Sequence, residues 1–228
     1  MTVPVILINR DLMTWPSKMI EDIKRFKDVG EITILDNGST NPLVLDWYEH
    51  LTDIRIERLT ANLGHRSPWI SGLVNEYVDS GNDFYIVSDP DLDLKSVPDD
   101  CVERLIAGCE CNDIRKCGLS LDLYRCNPRS PWYMNGRFQF DRSRLEYADL
   151  GLANTVLNPV DTTFAIWRSD LLHHSIQGGM LMDPYEAVHI PWTYSVDEMR
   201  NDPEYWYYLT HANESSTTKQ YLMRSHDA

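Results

Sequence analysis

The sequence predicts an α/β fold with a mostly parallel, Rossmann-like central sheet flanked by helices. Short apolar segments alternate with segments of helical periodicity over residues 1–95, in the order β-α-β-α-β-α-β. This alternation is typical of parallel sheets with right-handed crossovers. Three of the predicted strands also end in polar residues, and parallel strands present their carboxyl ends at one edge, where open α/β sheets bind ligands.

The strands of this first half are apolar runs, and the helices between them follow helical spacing. The predicted strands are residues 3–8, 31–35, 54–56 and 83–88. The first helix is indicated by Pro16, which suits a first turn, and by apolar residues such as Met19 and Ile23. Further helices are expected over residues 43–51 and, after the cap-like Ser67-Pro68, over residues 67–77.

The second half is less regular. An amphipathic helix is expected over residues 97–111, followed by strands over residues 117–121 and 162–167. Between these strands, residues 124–158 mix aromatic and Arg side chains, and we expect loops there. Because no linker divides the chain, the sequence predicts one compact domain with two halves. The first half is residues 1–95, which ends in the acidic run after the fourth strand, and the second half is residues 96–228.

Composition excludes several classes of protein. The chain of 228 residues carries a formal charge of −14 and has no basic run. Nucleic-acid binding is therefore not expected, since it needs clustered Lys and Arg. No apolar segment has the length of a membrane span, and the first residues lack a signal-peptide layout, which predicts a soluble, cytoplasmic protein. Five cysteines without a C-x-x-C pattern indicate reduced thiols and disfavour zinc.

An acidic cluster follows the fourth strand. Asp89, Asp91 and Asp93 occupy alternate positions directly after the apolar run that ends at Ser88. Carboxylates this close repel one another unless a cation lies between them. The cluster therefore predicts a divalent metal that carries a phosphate-bearing substrate. The alternative is an acidic turn in which an aspartate caps the next helix.

Several short segments occur in an order that resembles a known family. They are Asn9-Arg10, Asp36-Asn37-Gly38-Ser39-Thr40, Asn62-Leu63-Gly64, Ser88-Asp89-Pro90-Asp91, Val160-Asp161-Thr162-Thr163-Phe164-Ala165 and Ala187-Val188-His189-Ile190-Pro191-Trp192. Together they resemble nucleotide-sugar glycosyltransferases of the GT-A fold, family 2-like, and in particular the small bacterial and viral members. The resemblance covers about residues 3–210, and its last two segments are the most specific. It implies that residues 1–95 form a nucleotide-binding half and that residues 96–228 form an acceptor-side half with a late metal-ligand segment. The loops expected over residues 124–158 would then face the acceptor.

The resemblance implies which residues contact the nucleotide of a UDP-sugar. These are Asn9, Arg10, Asp36, Asn62, His65, Arg66 and Asp89. Asp36 would accept a hydrogen bond from the uracil, Arg66 would face the diphosphate, and Asp89 would reach the ribose. An ordinary Asx turn at Asp36 is the alternative for that position.

The resemblance also implies the metal ligands. Asp91 would bind the ion directly, and His189 would return from far along the chain as a second ligand. Asp93 would either support these ligands or cap a helix. Carboxylate oxygens with one imidazole suit Mn²⁺ better than an all-oxygen ion, and Mg²⁺ remains open.

The implied reaction is an inverting transfer, of the hexosyltransferase type, from the nucleotide-sugar donor to a carbohydrate or another hydroxyl-bearing acceptor. The acceptor hydroxyl needs a general base. Asp161 is the candidate because it precedes a strand expected to form the floor of the sugar pocket; its rival role is to bind the donor sugar. Many relatives carry a Glu-Asp pair near the acceptor helix, and this chain has no such pair there. Asp183, Glu186 and Asp197 are therefore alternative bases.

Two other functions stay open. A nucleotidyltransferase also combines this kind of sheet with acidic metal ligands, but it usually needs a Gly-rich loop after the first strand, where this chain has Asn9-Arg10-Asp11-Leu12. A non-catalytic nucleotide-sugar-binding module of the same fold is the other, since a fold does not determine a function.

Overall fold

The structure of the chain is a computed structural model. It describes residues 2–111, 113–131, 155–157, 159–175, 177–212 and 219–220. The acceptor-facing loops predicted over residues 124–158 lie largely outside the described residues. No helix in the described part of the chain has the length and apolar character needed to span a membrane.

The elements alternate through the first half as predicted. The strands are β1 Val3–Asn9, β2 Val29–Asp36, β3 Arg55–Arg58, β4 Phe84–Ser88, β5 Leu92–Asp93, β6 Lys116–Leu121, β7 Thr155–Leu157, β8 Ala165–Arg168 and β9 Gly179–His189. The α-helices are α1 Thr14–Lys24, α2 Pro42–His50, α3 Ser67–Ile70, α4 Leu73–Asp79, α5 Cys101–Cys111, α6 Ile190–Thr193, α7 Val196–Asn201 and α8 Pro203–His211.

The strands form one central sheet in the order β3-β2-β1-β4-β8-β6-β9-β5, and β7 pairs with β9. Strands β1 to β4 pair in parallel, as do β6 and β9. Strand β8 runs antiparallel to β4 and β6, and the short β5 runs antiparallel to β9. The predicted α/β class with a mostly parallel sheet is confirmed.

Helices cover both faces of the sheet, which is why β1 is buried along its whole length. Val5 and Leu7 pack into one apolar cluster with Met19 and Ile23 of α1. The alternate residue Ile6 points to the other face, into the cluster that holds residues of α4. This double burial keeps the strands in register and presents their carboxyl ends together.

Three differences from the sequence prediction concern α3, β8 and β9. The helix expected over residues 67–77 is divided at Gly72, whose φ of 85° is left-handed and ends α3. The strand expected from residue 162 begins at Ala165, because Phe164 has a φ of 47°. The long strand β9 was not predicted; it contains Pro184, a residue that argues against a strand when only the sequence is read.

Candidate active site at the carboxyl edge of the sheet

The ends of β1 and β2 lie side by side. Asn9 is opposite Asp36 in the strand register, and both side chains are buried. The Asn9 amide donates to the Leu12 carbonyl at 2.7 Å and to the Tyr48 hydroxyl at 2.8 Å. Its Oδ1 atom is buried and finds no hydrogen-bond partner among the described residues. A buried acceptor without a partner is costly, and a ligand that donates to it would remove the cost.

The loop after β1 is tied to the loop after β2 by Asp11. This residue has a left-handed φ of 55°, and its Oδ1 accepts hydrogen bonds from the backbone of Thr40 at 2.6 Å and Asn41 at 2.7 Å. The Nε atom of Arg10 lies 3.6 Å from the Asp11 carboxylate. Arg10 therefore lies next to the paired ends of β1 and β2, where Asn9 and Asp36 are buried.

Asp36 uses both carboxylate oxygens within the chain. Oδ1 accepts from the Ser39 backbone at 2.9 Å, and Oδ2 lies 3.4 Å from Nε of Arg58. The bond to Ser39 reaches three residues along the chain, one further than in the Asx turn considered as the alternative for this residue. A uracil contact would have to use the remaining lone pairs of this carboxylate or replace Arg58.

The loop 62–66 closes over the end of β2. Asn37 accepts from the Leu63 backbone at 2.7 Å and donates to the Gly64 carbonyl at 3.0 Å. Asn62 accepts from the Gly64 backbone at 2.8 Å, so its side chain shapes the loop. His65 and Arg66 follow on the exposed side, where a phosphate group could reach them.

The end of β4 carries the acidic cluster. The carboxylate of Asp89 accepts from the Thr162 hydroxyl at 2.8 Å, and its backbone amide donates to the Thr162 carbonyl at 2.8 Å. Burial raises the pKa of Asp89, and the negative charges of Asp91 and Asp161 raise it further. More negative charge collects at this edge than the nearby cations offset, a situation that a bound cation relieves.

The structure brings Asp91 and His189 together. Strand β5 pairs with β9 so that Leu92 is opposite His189, and the Ile190 amide donates to the Asp91 carbonyl at 2.9 Å. The Oδ2 atom of Asp91 is 3.6 Å from Nε2 of His189, and both side chains are less than a fifth exposed. Burial lowers the pKa of His189, against the opposing effect of Asp91, which favours the neutral imidazole that metals bind.

The donor set at this pair fits a divalent ion. Oδ1 of Asp91 is buried, and the described residues offer it no hydrogen-bond partner. A carboxylate and an imidazole match the ligands that Mn²⁺ accepts, with phosphate oxygens able to supply others. No group of three or more His, Cys, Asp or Glu side chains in the described residues is arranged to hold a metal.

Asp93 does not join Asp91 and His189 as a third ligand. Its Oδ1 accepts from the Lys95 backbone at 3.0 Å, and its Oδ2 lies 3.9 Å from Arg125. Asp93 does not cap a helix either, because Lys95 lies in a turn and the next helix begins only at Cys101.

Asp161 lies beside the acidic cluster, because its neighbour Thr162 binds Asp89. Its side chain is 64% exposed, and Oδ1 lies 3.1 Å from Nε2 of His174. It is therefore a carboxylate that a substrate hydroxyl could reach.

The alternative bases occupy less suitable positions. Glu186 and His189 are three positions apart in β9 and therefore face opposite sides of the sheet. Asp183 lies where β9 departs from its regular pairing with β6, because Leu181 pairs with Leu119 whereas Glu186 pairs with the next residue, Ser120. Asp197 is exposed in the first turn of α7.

Sequence reasoning missed Lys116. This lysine is fully buried, and its Nζ donates to the carbonyls of Val160 and Ser175 and lies 4.4 Å from the centre of the Trp167 ring. Burial lowers the pKa of Lys116 to about 8, against the opposing effect of Asp161 and Asp89. A lysine at the start of an apolar strand carries no sequence signal for this position.

We expect the stability of the protein to depend on pH through Lys116. Between pH 8 and the ordinary lysine pKa of 10.5, the unfolded chain binds more protons at this residue than the folded chain, so stability rises with pH. The shift corresponds to about 3 kcal/mol. Denaturant unfolding of the wild type and of Lys116→Met at pH 8 and 10.5 measures it, because other titrating groups cancel in the difference. An equal change in both proteins would contradict the prediction.

The class of fold follows from these observations: the chain has the GT-A fold, with the acidic cluster at the carboxyl edge of its parallel strands. It is similar to the crystal structure of S. aureus TarS 1-349 in complex with UDP, with a TM-score of 0.50 and 12% sequence identity. The match covers 98% of this chain and 70% of the TarS chain. In the crystal structure of S. aureus TarS, the match covers 98% of this chain and 42% of the TarS chain.

Other solved structures are more distant. Glucosyl-3-phosphoglycerate synthase from Mycobacterium tuberculosis, in complex with Mn²⁺, UDP and glucosyl-3-phosphoglycerate, matches with a TM-score of 0.43 and 16% identity over 75% of this chain and 57% of that chain. CMP:2-keto-3-deoxy-manno-octonic acid synthetase with CTP matches with a TM-score of 0.44 and 14% identity over 75% of this chain and 76% of that chain. Searches with the sequence find no matching family model and no matching curated protein.

Proposed function

We propose that the protein is a metal-dependent glycosyltransferase that moves a sugar from a nucleoside-diphosphate sugar, a UDP-sugar, to an acceptor hydroxyl with inversion. The observation that carries this proposal is the contact between Asp91 and His189, 3.6 Å apart at the edge that also holds Asn9 and Asp36. A metal-binding pair next to a nucleotide pocket is the arrangement that this transfer needs. TarS, which has the same fold, was solved with UDP.

In this proposal, residues 1–95 bind the donor and residues 96–228 supply the acceptor side. The buried Oδ1 of Asn9 and the carboxylate of Asp36 accept hydrogen bonds from the nucleotide, and Arg10 lies beside them. His65 and Arg66 face the diphosphate from the loop over β2. Asp89, fixed by Thr162, reaches the ribose.

Asp91 and His189 hold the metal in this proposal. Mn²⁺, or Mg²⁺ in its place, supplies Lewis-acid stabilisation of the departing diphosphate. The two residues come from strands that pair directly, so the backbone sets their separation. Neutral His189 is ready to coordinate without first losing a proton.

Asp161 is the general base in this proposal. The acceptor oxygen forms a bond to the anomeric carbon, and its proton moves to the Asp161 carboxylate. The bond from the anomeric carbon to the diphosphate oxygen breaks, and its electron pair leaves with the nucleoside diphosphate. Attack and departure on opposite faces of the carbon give inversion.

Donor binding is tested by thermal unfolding with UDP-sugars, with and without Mn²⁺. A ligand at 100 times its Kd stabilises the folded state by about 2.7 kcal/mol. For a chain of this size, that corresponds to a rise in Tm of roughly 5–10 °C. We expect this rise only when UDP-sugar and Mn²⁺ are both present.

Two further outcomes separate the other functions. A rise in Tm with a nucleoside triphosphate, together with release of pyrophosphate, would favour a nucleotidyltransferase. A non-catalytic binding module would also show a rise in Tm with a UDP-sugar. It would release no UDP on prolonged incubation with Mn²⁺ and a range of acceptors.

A further inference from the structure

His174 occupies a confined position next to Asp161. Its ring lies between the rings of His65 and Trp69, with centroid distances of 4.9 and 5.5 Å. The side chain is 9% exposed, and Nε2 lies 3.1 Å from Oδ1 of Asp161, whose own side chain is 64% exposed. A nearly buried imidazole is thus aimed at an accessible carboxylate.

Lys116 anchors both halves of this pair. Its Nζ donates to the carbonyl of Val160, which precedes Asp161, and to the carbonyl of Ser175, which follows His174. Because one fully buried ammonium group holds both backbone segments, the two side chains are kept at a set separation. Charged donors make the stronger hydrogen bonds, so this anchor resists movement of either segment.

We infer that His174 is a positioning residue that holds the carboxylate of Asp161 in the orientation needed for it to act as the base. The inference rests on the proposed function. With its proton on Nε2, His174 donates to Oδ1 of Asp161 and leaves Oδ2 to accept the proton of the attacking hydroxyl. An exposed aspartate without such a partner rotates among its rotamers, and misplaced bases are slow.

Several charged groups act on His174. Burial lowers the pKa of His174, and the positive charges of Lys116 and His65 act in the same direction, whereas the bond to Asp161 raises it. The imidazole is therefore neutral at neutral pH and donates one hydrogen bond without adding charge. Protonation would place a positive charge 3.1 Å from the base and weaken it as a proton acceptor.

The test compares two replacements of His174. His174→Phe keeps a ring between His65 and Trp69 but has no donor, whereas His174→Gln keeps a donor that does not titrate. The assay is release of UDP from a saturating UDP-sugar with Mn²⁺, with water as the acceptor. We expect His174→Phe to lower kcat by about 10–100-fold while the donor KM changes less than about twofold. The control is His173→Phe, at the exposed residue before His174, and it should keep the wild-type kcat.

The pH dependence adds a readout that loss of packing would not change. In the wild type, kcat should fall as the pH drops through the pKa of His174, which lies below 6.5. His174→Gln should retain more activity than His174→Phe and should lose this part of the profile. If His174→Phe does not fold, the comparison of His174→Gln with the wild type carries the test.

The contact itself can be measured without turnover. Since Asp161 raises the pKa of His174, an NMR titration of the imidazole should show a lower pKa in Asp161→Asn. If the wild type is active and both His174 variants keep its kcat and its pH profile, the inference is overturned and the proposed function stays intact. A wild type that releases UDP from none of the UDP-sugars would overturn both.

Discussion

Asp91→Ala should lower Mn²⁺-dependent release of UDP from a UDP-sugar by about a thousandfold or more. Lewis-acid stabilisation of a leaving group contributes several kcal/mol, and about 4 kcal/mol corresponds to this factor. His189 alone cannot hold the ion in place, and Oδ1 of Asp91 is a buried acceptor to which the described residues offer no hydrogen-bond partner. Initial rates over a range of Mn²⁺ concentrations measure the effect.

The same substitution should leave the fold intact. The carboxylate of Asp91 repels that of Asp89, so its removal relieves charge and removes no apolar packing. We expect a Tm equal to or slightly above that of the wild type. Asp83→Asn, an exposed aspartate at the opposite end of β4, is the matched control and should keep full activity. Full turnover by Asp91→Ala, or by the wild type in metal-free buffer, would refute the mechanism.

Asp161→Asn should lower kcat by about 10²–10⁴-fold and leave the donor KM nearly unchanged. The amide has almost the same shape as the carboxylate and keeps its position beside His174, but it cannot take the proton of the acceptor. Steady-state kinetics with the donor varied at a saturating acceptor concentration separates the two constants. Asp113→Asn, at a side chain that is 98% exposed, is the control and should behave as the wild type.

The alternative role of Asp161 makes a different prediction. If the residue binds the donor sugar, KM for the donor rises and kcat stays near the wild-type value. If neither constant changes, Asp161 has no part in the reaction. The same kinetics are then measured for replacements of Asp183, Glu186 and Asp197.

The first half of the fold could be predicted from the sequence because its signals are local. Apolar runs such as the one over β1 and helical spacing such as that over α1 are properties of neighbouring residues. Parallel connection follows from their alternation. The acidic cluster could be placed at the sheet edge for the same reason, since it directly follows β4.

The second half depends on contacts between distant residues. Strand β9 contains Pro184 and does not alternate regularly, and it is held by pairing with β6, β7 and β5. The separation of Asp91 and His189 follows from that pairing. Local periodicity therefore could not place His189, and only the resemblance of its segment to a known family suggested its role.

By itself the sequence determined the α/β class, the order of the elements through β4 and the position of the acidic cluster. The tertiary structure decided that Asp91 meets His189 and that Asp93 turns to Lys95 and Arg125. It also decided that His174 contacts Asp161 while Lys116 holds the backbone on either side of that pair. The reason is physical: backbone periodicity is set by neighbouring residues, whereas burial and charge pairing depend on which distant segments pack together.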